Sequence, residues 1–298
     1  MGELNDIMQG LESSLGPVSG VPVALDGGIT NRNYRVTLGG GEYVVRRPGK
    51  DTELLGIDRE TERLATDAAA GLGIAPTVAA VVGGCLVTRF VACRSLGARE
   101  VADGVEEIAR LLRAFHDSGA GLPSSFWVGD LLSAYAEIVA RRGGALPSAY
   151  EAALGSASRI EAALSREHVR PCHNDLLPGN IIRAEDSGRI MIVDWEYAGM
   201  GDPRFDLGNL SVNNDFDAEE NERLLSAYHG HTPTDGQRAA LKLMRVLSDA
   251  REAAWGVVQS VVSELDFDFK AYAREHFERL REAVAQPDFD EWLATARA

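Results

Sequence analysis

Three polar side chains in this chain have the types and spacing that phosphoryl transfer uses. Asp175 and Asn180 fall in the run His173-Asn174-Asp175-Leu176-Leu177-Pro178-Gly179-Asn180, and Asp194 directly follows the apolar run Ile190–Val193. In that chemistry one Asp orients the incoming hydroxyl and accepts its proton, while an Asn amide and a second Asp hold the metal ions that bridge the phosphates. Arg170-Pro171 breaks the helical pattern that arrives from Ala153–His168, so the run falls on a loop. Asn and Asp are also ordinary loop and cap residues. The spacing alone therefore leaves a plain loop open, and the elements around it must decide.

Those elements begin with a helix over Glu3–Leu15, where Leu4, Ile7, Met8, Leu11 and Leu15 recur at helical spacing before Gly16-Pro17. Val21–Leu25 and Tyr34–Leu38 read as strands around a turn, Asp26–Asn33, whose Gly27-Gly28 lets backbone amides approach a phosphate and whose Thr30, Asn31 and Asn33 add side-chain donors. A second turn, Gly39–Glu42, leads into the strand Tyr43–Lys50, with Arg46 and Arg47 at its end. These arginines suit a nucleotide's phosphates, and equally a solvated strand end. A helix over Ile57–Ala70 carries Glu62, placed to reach back to Arg46, and Pro76–Val82 and Cys85–Phe90 add two strands. The first ninety residues are thus expected to form a five-stranded sheet with one inserted helix, and Val91–Ser95 a hinge.

Beyond the hinge the pattern is mostly helical. Helices are expected over Val105–Asp117, with His116 as a cation at its C-terminus, and over Leu131–Arg142 and Ala149–Glu167. A short hairpin, Asn180–Arg183 and Ile190–Val193, links the Asp175 run to a second loop, Val193–Asn209. Asp194 on that loop suits Mg²⁺, and Asp206 is expected to brace loops by accepting backbone hydrogens. Four helices follow from Glu219, one of them Leu241–Leu265 with Trp255 and Gln259 a turn apart. Trp255 reads equally as a core residue and as a wall for a ligand cation.

Charge and composition bound the partners. With 45 acidic against 30 basic residues the net charge is −15, which argues against nucleic acid or an anionic membrane surface and favours a cationic small molecule. A polyanion such as ATP would then require a local arginine cluster. No apolar run reaches membrane-spanning length and no basic-then-apolar leader opens the chain, so a cytoplasmic protein is expected. Cys85, Cys93 and Cys172 lack paired spacing and read as reduced apolar residues, with no zinc site.

With both loops in hand, the sequence resembles the choline/ethanolamine kinase family, within the aminoglycoside-phosphotransferase-like kinases that share the protein-kinase fold. The resemblance rests on Gly28–Tyr34, Val45-Arg46, Glu62, His173–Asn180, Asp194–Tyr197, Phe205–Asn209 and Trp255 through Tyr272, in that order along most of the chain. It implies an α+β, bilobal fold: residues 1–91 as a small antiparallel-sheet lobe that binds nucleotide, and residues 92–298 as a larger, mostly helical catalytic lobe. It implies ATP and Mg²⁺ as cofactors. Asp175 would accept the hydroxyl proton, and Asn180 and Asp194 would hold Mg²⁺. Arg46, positioned by Glu62, would contact phosphate, Thr30, Asn31 and Asn33 would cover the phosphates, and backbone at Phe90 and Val91 would receive adenine. His173 would pack under the loop. Tyr197 and Trp255, with Trp195 or Glu196, would hold the acceptor, a small cationic amine such as choline or ethanolamine. Choline kinases often carry a second Trp where this chain has Glu252, which suits an ammonium that can donate hydrogen bonds. Thiamine or aminoglycoside-type kinases on the same scaffold, and a non-catalytic nucleotide-binding pseudokinase, are the alternatives. A protein kinase is disfavoured, because the short run from Asp194 to Asp206 leaves no room for an activation segment.

Overall fold

The structure, a computed structural model, describes residues 2–25 and 31–297. Its amino-terminal part is a five-stranded antiparallel sheet in the order β1-β2-β3-β5-β4. The strands are β1 (Val18–Leu25), β2 (Asn31–Leu38), β3 (Gly41–Pro48), β4 (Val78–Val82) and β5 (Cys85–Arg89), with α1 (Gly2–Leu15) ahead of them and α2 (Arg59–Gly71) inserted between β3 and β4. Alternation along β3 buries Tyr43 and Val45, which pack with Val36, Leu38 and Val87 under Ile7, Met8 and Leu11 of α1. Arg46 consequently points to the opposite face, with Asn33 directly across the ladder.

Two sequence expectations change here. The sequence pattern puts Asn31 and Asn33 in the turn before β2, yet both pair with β3 as part of the strand. The glycine tip and Thr30 lie outside the described residues. The expected hinge also shortens, because β6 (Cys93–Ser95) pairs with β8 (Ile181–Ala184), which pairs in turn with β9 (Ile190–Ile192).

Past β6 come α3 (Ala98–Asp103), α4 (Val105–His116), α5 (Val128–Arg141), α6 (Ala149–Leu164), β7 (Arg170–Cys172), β10 (Gly199–Gly201), α7 (Pro203–Asn213), α8 (Ala218–His229), α9 (Asp235–Val262), α10 (Phe269–Val284) and α11 (Phe289–Thr295). The long α9 is the spine. A capping box of Thr234 and Gln237 starts it six residues before the first expected position, and its apolar positions share one core with α5, α6, α10 and α11. The sequence pattern places α7 in a loop. Asp202 caps it, Pro203 opens it, and every residue from Phe205 to Val212 is buried. A helix buried all round shows no apolar-polar period for sequence reading to detect. Gly208 permits its close approach to α9, since a Cβ there would lie 2.5 Å from that of Met244. Among the described residues no helix is long and apolar enough to cross a membrane.

Candidate active site

The Asp175 loop is built on two buried supports. Asp206 Oδ2 accepts from the His173 amide at 2.8 Å and Oδ1 from the Asn174 amide at 2.7 Å, while Asn209 Oδ1 accepts from the Leu176 amide at 2.5 Å. Asn174 is thereby held at φ 68°, a conformation Asn tolerates better than most residues. His116 donates to Asp206 at 2.8 Å through Nε2, with Nδ1 2.8 Å from the Tyr228 hydroxyl. His116, expected as a cation closing the helix, is therefore a fully buried strut at that helix end. Burial alone would raise the Asp206 pKa, but the His116 hydrogen bond and the nearby His173 keep it below its ordinary value.

His173 lies beneath the loop. Its Nδ1 accepts from the Asp175 amide at 3.1 Å, its Nε2 donates to the Val193 carbonyl at 3.0 Å, and its ring meets Trp195 edge-on. Burial lowers its pKa to about 4. Trp195, considered for the acceptor, packs on Phe115 and donates Nε1 to the Ile192 carbonyl, so it is a core residue under the loop.

Asp175, Asn180 and Asp194 line one cleft of about 610 Å³ together with Arg46 and Glu62. Asn180 Nδ2 donates to the Asp175 carbonyl at 2.8 Å and lies 3.3 Å from its Oδ2, and the Val193 amide donates to the Asn180 carbonyl at 2.9 Å, tying the Asp194 loop alongside. Burial raises the Asp175 pKa, as do Glu252, Asp194 and Glu196, against the opposing pull of Arg251. Asp194 sits at φ 68° with its carboxylate hydrogen-bonded to Arg46.

Arg46 also stands 3.2 Å from Glu62 Oε1 and 3.5 Å from Glu196, the former an ion pair off the hydrogen-bond direction. Burial disfavours its charge, but Asp194, Glu196 and Glu62 together raise its pKa. A second cation, Arg59, was not foreseen. It donates to Glu62 at 2.7 Å, Glu196 at 3.3 Å, Asn31 Oδ1 at 3.3 Å and Thr52 at 2.9 Å. Glu196, expected at the acceptor end, instead has its carboxylate in this cation cluster, where Asn31 also donates to it at 2.8 Å. Arg59 could have been found from its place beside the α2 cap Asp58, one turn before Glu62.

At the strand end of the cleft, the Phe90 amide already donates to the Glu42 carbonyl, and Arg35 covers the Phe90 ring at 4.2 Å. Of the backbone expected to receive adenine, the Phe90 amide is thus already engaged. Among the described residues the Val91 amide makes no hydrogen bond.

The far end is lined by Tyr197, Arg251, Glu252, Trp255 and Tyr272. Trp255 Nε1 donates to the Tyr197 hydroxyl at 2.9 Å, and the Tyr272 hydroxyl donates to Glu252 Oε2 at 2.7 Å. Glu252 Oε1 accepts from Arg251 at 2.6 Å, so the charge replacing an aromatic wall comes with its own counter-ion. Burial opposes ionisation of Glu252, yet Arg251 and Tyr272 hold its pKa low. Arg251 was also missed, although it lies one turn before Trp255 on the same helix face. Gln259, the next turn on, faces a separate recess bounded by Arg32, Arg47 and Lys50.

Over 269 residues the chain is 26% identical to the protein LicA of Haemophilus influenzae, covering 85% of this chain and 77% of that one. A choline/ethanolamine kinase family protein from Mesorhizobium loti superposes with a TM-score of 0.80 at 29% identity, over 98% of this chain and 99% of that one. The choline kinase LicA from Streptococcus pneumoniae does so with a TM-score of 0.80 at 25% identity, over 96% and 99%. These neighbours carry the protein-kinase-like fold. Residues 23–242 match the phosphotransferase enzyme family, and with that match spanning most of its length the chain belongs to this family of small-molecule kinases.

Proposed function

We propose that the protein transfers the γ-phosphate of ATP, with Mg²⁺, to the hydroxyl of a small amino alcohol. The observation that carries this reading is the joining of Asp175, Asn180 and Asp194 in one cleft with Arg46 at its strand end. In it, residues 1–91 are the nucleotide lobe and residues 92–298 the catalytic lobe, in a cytoplasmic enzyme. Asn33 lies beside the phosphates, Arg46 contacts them, and Glu62, clasped by Arg59, fixes Arg46, while Asn31 braces Glu196 and Arg59. The Val91 amide receives the adenine.

The donor set suits Mg²⁺, because Asn180 and Asp194 offer an amide oxygen and a carboxylate within the same cleft, the hard oxygen ligands this ion takes alongside phosphate. When bound there, Mg²⁺ would neutralise charge on the phosphate oxygens. Asp175, steered by Arg251 and Asn180, points a carboxylate at the acceptor hydroxyl and takes its proton. His173, neutral at physiological pH, fixes the Asp175 amide and the Val193 carbonyl in register. One cleft of about 610 Å³ must admit both nucleotide and acceptor, and thiamine and aminoglycosides are the alternatives that an acceptor panel tests.

A coupled ADP-release assay over a panel of hydroxylated amines tests the reading. Asp175→Asn is expected to lower kcat by about 10²–10⁴-fold with Mg-ATP binding retained. Near-normal turnover in that variant, or stimulation by aminoglycosides alone, would overturn it.

A further inference from the structure

The acceptor end of the cleft already contains a cation of the protein's own. Arg251 is only 2% exposed, its guanidinium carbon lies 4.3 Å over the Tyr197 ring, and its Nη1 donates to Glu252 at 2.6 Å and Asp175 at 3.1 Å. An aromatic face combined with carboxylates is the chemistry that recognises an organic ammonium. Here an internal guanidinium occupies it. Among the described residues, Arg251 Nε and Nη2 are buried without a hydrogen-bond partner. A guanidinium retained for stability alone would have its donors matched, and a buried ion pair is in any case a weak stabiliser beside apolar residues of the same volume. Both points assign Arg251 to the function of the cleft it lines.

We propose that Arg251 is the specificity-determining residue of the acceptor cleft: it covers the Tyr197 face against quaternary ammonium groups and leaves the Glu252 carboxylate to select a primary amine. This rests on the reading of the acceptor as an amino alcohol. A trimethylammonium group has no N–H and depends on open aromatic faces, one of which Arg251 removes. A primary ammonium brings three donors, and each carboxylate oxygen that accepts from Arg251 or Tyr272 retains a second lone pair.

The test separates head-group binding from turnover. Calorimetry measures methylammonium and tetramethylammonium, neither of which can be phosphorylated, and kcat/KM is measured for ethanolamine and choline. Wild-type protein is expected to favour the primary amine of each pair by about tenfold or more, ~1.4 kcal/mol. The double variant R251M/E252Q removes both charges together, and because Asp175 also loses its Arg251 donor, preference ratios rather than absolute rates are compared. In it the preference is expected to shrink to about threefold or less, chiefly through tighter quaternary binding. R251K keeps a cation in place and is expected to retain the preference. Ratios unchanged in R251M/E252Q, a wild-type preference for the quaternary ions, or binding of neither ammonium would overturn the assignment. Turnover of some other hydroxyl compound in that last case would leave the kinase reading standing. A clear ammonium preference with no turnover of any acceptor would do the reverse.

Discussion

Replacing Asp206 separates the bracing of the catalytic loop from its chemistry. Its carboxylate receives three buried donors: the His173 amide at 2.8 Å, the Asn174 amide at 2.7 Å and His116 Nε2 at 2.8 Å. Asp206→Ala strips all three, and at about 1–3 kcal/mol for each unsatisfied buried donor even the low end amounts to roughly 3 kcal/mol. Asp206→Asn is milder. Its oxygen can keep the Asn174 amide, and its NH₂ can donate to His116 once that imidazole moves its proton to Nδ1 and donates to the Tyr228 hydroxyl. Only the His173 amide is then orphaned, for about 1–3 kcal/mol. Equilibrium urea denaturation reads these losses as lower midpoints at unchanged slope. Because Asn174 needs the brace to stay at φ 68°, kcat is also expected to fall in protein that is fully folded at the assay temperature. Midpoints of both variants within about 0.5 kcal/mol of wild type would refute the brace as a stabilising element. Unaltered kcat in folded Asp206→Ala would refute its role in positioning Asp175.

Two further outcomes follow from packing and burial. Gly208→Ala drives a Cβ to 2.5 Å from Met244 Cβ and 2.6 Å from its carbonyl carbon, so α7 and α9 must separate, and thermal or urea unfolding is expected to register a loss of about 1–3 kcal/mol or more. His173 has its pKa lowered by burial to about 4, below the ordinary imidazole value of about 6.5, so the unfolded chain binds its proton first. Its contribution is complete above pH ~6.5 and is lost as pH falls toward ~4, to the extent of about 3 kcal/mol, and His173→Gln is expected to flatten that part of the stability curve.

Much of the site could be read from the chain because its parts are local. Asp175 and Asn180 share one loop, Asp194 follows one apolar strand, and Arg46 ends another, so strand alternation and loop punctuation were enough to single them out. The five-strand sheet and the four closing helices followed from the same periodicities. α7 did not, because burial on every side erases the period, and Asp206 and Asn209 were consequently assigned to a loop. β7, β10 and the β6–β8 pairing are three- and four-residue strands joined across long separations, too short to carry a pattern.

Residue types and their order determined the reaction class: a carboxylate on a turn, an Asn five residues on, a second carboxylate after a buried strand, and arginine at the nucleotide end. The partner of each charge was decided only by the tertiary structure. Glu196 lies next to Tyr197 in sequence, yet successive side chains diverge, and its carboxylate meets Arg59 and Asn31 from the sheet while the Tyr197 ring lies under Arg251. Glu252 looked like a free charge in place of an aromatic wall until α9 and α10 brought Arg251 and Tyr272 onto its two oxygens. Pairing of charges falls off over a few ångströms and depends on burial, quantities that exist only once the helices have packed.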